Sequence, residues 1–99
     1  MLLGKVIGTV WSTKKDDKLV GAKFLIVREM DLKLKEKDNF VVAVDSVGAG
    51  ESEIVLVATG SSSRQTTFTK DKPVDAVIMA IVDKLDVAIK QLSKAESEV

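Results

Sequence analysis

Few side chains in this sequence are of the types that carry out chemistry. The chain has no His and no Cys, so it lacks the commonest general acid–base residue, the commonest metal ligand and any Ser–His or Cys–His pair. Asp45 or Lys23, placed in a subunit cleft, could serve a small enzyme if burial shifted its titration, but no partner set accompanies either residue. We therefore expect no enzyme activity, no catalytic residue and no bound metal or cofactor.

Asp45 stands near the end of a β-branched run, in the segment VVAVDSVGAG of residues 41–50. Its carboxylate is placed to accept hydrogen bonds from backbone N–H groups of the turn that follows. Gly48 and Gly50 flank Ala49, and glycine takes positive φ at no Cβ cost, so the backbone can reverse sharply here. The simplest interpretation of Asp45 is structural.

A second unusual connection follows the run EIVLVATG and continues as SSSRQTTFTKDK. Polar loops of this length inside a compact domain are usually functional or disordered. Arg64 is one of only two arginines in the chain. It can hold loop carbonyls or a carboxylate, or it can contact an anion or line a pore, and both interpretations stay open. The residues that form this serine–arginine loop are Gly60, Ser61, Ser62 and Arg64.

The elements that position these loops are short β-branched runs bounded by Gly, Ser and charged residues, a pattern that predicts strands. The predicted strands cover residues 2–10, 19–30, 40–47, 53–59 and 77–82, with polar connections at 12–18 and 31–39. Residues 24–27 are apolar on both faces, which indicates burial by the core and by something outside it. Apolar residues from Leu85 to Ala95 recur at helical spacing and predict an amphipathic helix over residues 86–96.

Five short strands and one terminal helix predict a mainly β fold, a small five-stranded OB-like barrel with a short C-terminal helix. The chain of 99 residues is long enough for one domain, and we assign the barrel to residues 1–85. Gly4 and Gly8 interrupt the first strand, where glycines often mark a bend or the close approach of another backbone. Trp11 ends that strand and is interpreted as an apolar anchor on the barrel or on a neighbouring subunit, with base stacking as the alternative.

Composition narrows the classes of function. The formal net charge is zero, which argues against a dedicated nucleic-acid binder and favours association between copies. The longest apolar run, residues 77–82, is too short to span a membrane. Gly4 and Lys5 interrupt the N-terminal apolar residues too early for a signal-peptide core. We expect a soluble, cytoplasmic protein without membrane or nucleic-acid partners.

The sequence resembles the EutN/CcmL family, the pentameric vertex proteins of bacterial microcompartment shells. The resemblance covers residues 1 to about 87. It rests on five segments in the family's order: LGKVIGTVW, LVGAKFLIV, VVAVDSVGAG, EIVLVATGSSSRQT and PVDAVIMAIVD. Ser63 departs from the alanine that the family commonly has in its serine–arginine loop. The C-terminal segment is the least shared part of the chain.

The resemblance implies an OB-like barrel that assembles into a cyclic homopentamer. That pentamer would cap the five-fold vertices of a microcompartment shell in the cytoplasm, edge to edge with hexameric shell proteins. The family's glycine-rich turn corresponds to Gly48, Ala49 and Gly50, and its serine–arginine loop to the residues named above. We expect one of these loops to line the central opening, or both to close the barrel and the subunit interface.

The alternative function is an OB-fold nucleic-acid-binding module. Such modules pair a basic groove with aromatic stacking platforms. This chain has only four aromatic residues, and its basic residues are interspersed with acidic ones. The aromatic residues are Trp11, Phe24, Phe40 and Phe68.

Overall fold

The computed structural model describes residues 1–12, 16–60 and 75–88. Five strands form a closed barrel in the order β1-β2-β3-β5-β4, which confirms the predicted five-stranded barrel. A short 3-10 helix, Asp17–Leu19, lies between the first two strands. The strands are β1 Leu2–Val10, β2 Phe24–Met30, β3 Glu36–Asp45, β4 Ile54–Thr59 and β5 Ala76–Ile81.

The seam between β3 and β5 closes the barrel. All other strand pairs are antiparallel, whereas β3 and β5 are parallel and pair only at Val44 with Val77 and at Asp45 with Ile78. The Ser46 hydroxyl donates to the carbonyl of Ile78 at 2.7 Å and extends this seam by one bond. The part of β3 before Val44 therefore pairs only with β2 among the described residues.

β-branched and leucine side chains fill the interior of the barrel. Along each strand these buried residues alternate with residues on the outer face. In β2, Leu25 and Val27 are buried, whereas Phe24 and Ile26 on the other face are only partly covered. This alternation accounts for the doubly apolar run: one face belongs to the core and the other remains half-exposed in a single chain. The main cluster consists of Val6, Leu25, Val27, Ala43, Ala49, Val55, Val57, Ala76 and Ile78.

The two glycines of β1 have different roles. A Cβ atom on Gly4 would overlap Val27 Cγ1 and lie 2.8 Å from the carbonyl oxygen of Arg28, so β1 and β2 approach closely only because this residue has no side chain. At Gly8 the register with β2 shifts, which marks a bulge. Both predicted uses of strand glycines, close approach and a bend, are present.

The predicted boundaries of two strands were wrong. Strand β3 starts at Glu36, inside the segment expected to be a connection, and it ends at Asp45 instead of residue 47. The polar start of β3 is held against β2 by side chains: Asn39 Nδ2 donates to Glu29 at 2.6 Å, and Lys37 pairs with Glu29 at 3.3 Å. Strand β2 starts only at Phe24, because the 3-10 helix and Gly21, at φ 86°, occupy the residues before it.

The connection between β2 and β3 is a turn organised by Asp31. Its carboxylate accepts from the backbone N–H groups of Lys33 at 2.8 Å and Lys35 at 3.0 Å. The hydrogen bond from Lys35, followed by that from Lys33, holds the pKa of Asp31 below its ordinary value. Leu34 takes a left-handed φ of 61° in this turn.

The predicted helix over residues 86–96 falls mostly outside the described residues. Its first three residues, 86–88, are described and are not helical. A short amphipathic segment is marginal as a helix without a surface to dock on. Within the three described ranges, no helix is long and apolar enough to cross a membrane.

We expect Gly4→Val to destabilise the fold by about 1–3 kcal/mol, because the new side chain meets Val27 and the backbone of Arg28. Gly8→Ala is the matched control, since a Cβ there lies 3.4 Å from Ile26 Cδ1, an ordinary contact. Urea unfolding of both variants at equal protein concentration tests this. Equal stability of the Gly4 variant and wild type would contradict the close approach.

Candidate functional site

The turn after β3 is held by one carboxylate oxygen. Asp45 Oδ1 accepts the backbone N–H groups of Val47, Gly48 and Ala49, each at 3.1 Å. This confirms the structural interpretation of Asp45. Gly48 takes φ 76°, the left-handed conformation that a glycine adopts without strain. The conformation of the turn therefore depends on an aspartate at position 45 and a glycine at position 48.

The rest of this turn is tied to the barrel. Ala49 is buried in the main core cluster, so its side chain closes the barrel interior. The N–H of Gly50 donates to Glu53 Oε1 at 2.6 Å. Ser52 and Glu53 form backbone hydrogen bonds with Val6 of β1 at 2.8 and 3.0 Å. Of the three predicted turn residues, Gly48 is exposed, Ala49 is a core residue and Gly50 is half-buried.

The serine–arginine loop is described only at its start. Gly60, at φ 65°, ends β4 and donates its N–H to the carbonyl of Asp75 at 2.8 Å, so the two ends of the loop meet there. Ser61, Ser62 and Arg64 lie outside the described residues. The structure therefore brings Gly60 next to β5 and gives no relation between Gly48 and Arg64.

A groove of about 400 Å³ lies beside the unpaired part of β3. Among the described residues, β3 does not pair with β5 before Val44, and the groove lies between that part of β3 and the residues at the two ends of the serine–arginine loop. Asp75 is the one charged residue among the described lining residues. The groove is lined by Val41, Val42, Thr59, Gly60, Asp75 and Ala76.

Several large apolar side chains are exposed, among them Trp11 and two residues of β3. Trp11, directly after β1, is 88% exposed, so it does not pack on its own barrel as one sequence interpretation expected. Phe40 on β3 is 60% exposed and Val42, on the rim of the groove, is 43% exposed. The exposure of Phe40 and Val42 was not predicted from the sequence. The continuous apolar run of residues 40–44 was the available signal, since such a run indicates cover on both faces.

The described residues offer little for catalysis or metal binding. No group of three or more His, Cys, Asp or Glu side chains comes together in residues 1–12, 16–60 and 75–88. Lys23 is exposed, and the carboxylate of Asp45 is occupied by the turn. What the surface offers instead is apolar area and a groove, which suit contact with another protein.

We expect Asp45→Ala to destabilise the fold by about 1–3 kcal/mol, because it removes the acceptor of three N–H groups, one of them on buried Ala49. Asp16→Ala is the comparison, since Asp16 caps the 3-10 helix through a single exposed bond from Lys18; its effect should stay at the low end for a lost cap, about 0.5 kcal/mol. Denaturant unfolding measures both changes. Equal effects of the two substitutions would contradict the role of Asp45.

Comparison with known proteins gives consistent matches over most of the chain. The family described as "Ethanolamine utilisation protein EutN/carboxysome" matches residues 1–83. The microcompartment shell vertex protein GrpN of Rhodospirillum rubrum is 48% identical over 86 residues, covering 87% of this chain and 97% of the relative. The carboxysome shell vertex protein CcmL of a Synechocystis species is 46% identical over 88 residues, covering 89% and 88%.

The barrel is also similar to solved structures. The pentameric microcompartment shell protein GrpN from Rhodospirillum rubrum superposes with a TM-score of 0.82 at 45% identity, covering 89% of this chain and all of that chain (100%). Sequence and fold therefore match the same group of proteins over the whole barrel. The chain belongs to the EutN/CcmL family.

Proposed function

We propose that this chain forms a cyclic homopentamer that caps the five-fold vertices of a bacterial microcompartment shell. The observation that carries the proposal is the match to the pentameric GrpN structure, which extends over 100% of that chain. The role is structural: the pentamer supplies a corner with five-fold symmetry and edges that contact the neighbouring shell proteins, and it carries out no reaction. Its place is the shell, within the cytoplasm.

The mechanism is geometric. Hexagonal tiles alone form flat sheets, and a closed shell needs corners with five-fold symmetry. A head-to-tail interface closes into a ring when the rotation between neighbours divides a full turn. A barrel whose interface closes after five copies supplies such a corner, and its outer edges meet the neighbouring hexameric shell proteins.

The surface of the single chain supports this assembly. Zero net charge leaves no long-range repulsion between copies. Contiguous exposed apolar patches mark surfaces that bind other proteins, and the exposed apolar side chains of this chain are candidates for such a contact. The most exposed of them are Met1, Trp11, Val20, Leu32 and Phe40.

The two loops predicted from the sequence are part of the proposal. Gly48, exposed at the turn after β3, and Gly60, at the rim of the groove, have no side chain, which would let a neighbouring chain approach their backbone closely. We propose that one of the two loops lines the central opening or the subunit contact, with Ser61, Ser62 and Arg64 continuing the second loop. The buried Ala49 side chain serves barrel closure instead.

Co-expression with a hexameric microcompartment shell protein tests the vertex role. We expect closed particles that contain this chain when both proteins are present, and open sheets or tubes when it is omitted, as seen by electron microscopy. Closed particles that form equally well without it, or that exclude it, would contradict the proposal.

A further inference from the structure

We propose that the outer face of β1 and β2 around Gly8 is the surface against which the next protomer packs, with a carboxylate of that protomer between Lys5 and Arg28. The inference rests on the proposed pentamer and names one of its two contact surfaces. This surface, the β1 face, consists of Lys5, Ile7, Gly8, Ile26 and Arg28, and both strands that carry it are described over their whole length.

Strand pairing places the five residues on one side of the sheet. Lys5 lies directly opposite Arg28 and Gly8 lies directly opposite Ile26, and residues opposite each other in an antiparallel pair share a face. The residue pair between these two is buried in the core, so the β1 face is on the outside of the barrel. Ile7 has no partner on β2, because the register shifts there, and it is 39% exposed.

The two cations of the β1 face lie side by side without a carboxylate. Lys5 and Arg28 are half-buried, and within residues 1–12, 16–60 and 75–88 neither forms an ion pair. Arg28 donates from Nη1 to the carbonyl oxygen of Lys37 at 3.2 Å, a bond that does not neutralise its charge. Like charges directly opposite each other destabilise a pair of strands. A carboxylate from outside the chain removes this repulsion and accepts charge-assisted hydrogen bonds from both side chains.

Nothing in the described residues requires glycine at position 8. The φ of Gly8 is not positive, so its backbone conformation is open to other residues. A Cβ atom there would lie 3.4 Å from Cδ1 of Ile26, an ordinary contact, whereas a Cβ on Gly4 would overlap the chain's own β2. A glycine inside a strand weakens that strand and often marks the place where another backbone comes close. At Gly8 that backbone belongs to the next protomer.

A second copy of this chain fits the β1 face. The GrpN protein that superposes on the barrel at 45% identity is pentameric, and in a cyclic pentamer each copy contacts its two neighbours through two different surfaces. The chain supplies the complementary charge itself, since Glu36, Asp38 and Glu51 are exposed and form no ion pair with other described residues. Arginine is enriched among the residues that dominate interface energies, and Arg28 is one of only two in the chain.

Charge reversal on the β1 face tests the contact. Lys5→Glu should raise the protein concentration at which the ring dissociates by about 30-fold or more, the loss typical when one partner of an interfacial charge pair is removed. Lys23→Glu is the matched control, because it makes the same change of charge at an exposed position just before β2; it should leave the ring intact. Light scattering after size exclusion over a dilution series measures both, and circular dichroism checks that each barrel remains folded.

Zero-length cross-linking identifies the occupant. A carbodiimide joins the Lys5 amine to a carboxylate in contact with it, and a mixture of isotope-labelled and unlabelled protein marks the cross-links that join two copies. We expect mass spectrometry of the assembled wild-type ring to show Lys5 of one copy joined to a carboxylate of another. Dilution to the dissociated state should abolish these cross-linked peptides.

The two experiments separate this inference from the vertex proposal. Equal dissociation of the Lys5→Glu and Lys23→Glu rings, or a Lys5→Glu ring as stable as wild type, would overturn the inference and leave the vertex proposal standing. Intact pentamers in which Lys5 is cross-linked only to an added hexameric shell protein, or to no other copy, would do the same. A wild-type protein that forms no pentamer would overturn the vertex proposal itself.

Discussion

Closure of the barrel through the short parallel seam between β3 and β5 is the constraint on which the other features depend. Two residue pairs and the hydrogen bond from Ser46 join β3 to β5, while the pairing of β1 with β4 joins the same two groups of strands on the other side of the barrel. On the face opposite the main cluster, this seam brings Val44 against Val77 in a second buried cluster that also contains Ala22 and Ala58. Within residues 1–12, 16–60 and 75–88, most of β3 pairs with β2 alone, and Phe40 on that part of the strand is 60% exposed.

The turn that follows the seam is fixed by the same region. Asp45 belongs to the β3–β5 pairing through its backbone and organises the next residues through its carboxylate. The chain then passes Ala49 into the core and reaches β1 through Ser52 and Glu53. One short segment therefore links the closing seam, the core and the first strand. The contacts of the glycine-rich turn are thus mainly contacts within its own barrel.

Residue types made much of this fold predictable. The β-branched run of residues 2–10 became β1 with the predicted boundaries, and Asp45 before a glycine turn was enough to assign its hydrogen bonds. The start of β3 was not predictable, because Glu36 to Asn39 are polar on both faces and only Glu29 on β2 gives them strand partners. The groove was equally out of reach, since it depends on where a parallel pairing begins between strands about 30 residues apart. Trp11 was recognisable as a large apolar residue at the end of the first strand, but its 88% exposure within the single chain required the structure.

The central claim is that this barrel closes on itself as a ring of five, and its native mass tests that claim most directly. Light scattering after size exclusion, at several protein concentrations, gives the number of chains in the assembly. A mass near five chains of 10.7 kDa each, constant across the upper concentrations, is the expected result. A stable monomer at every concentration would contradict the account, because a single barrel cannot supply a corner with five-fold symmetry.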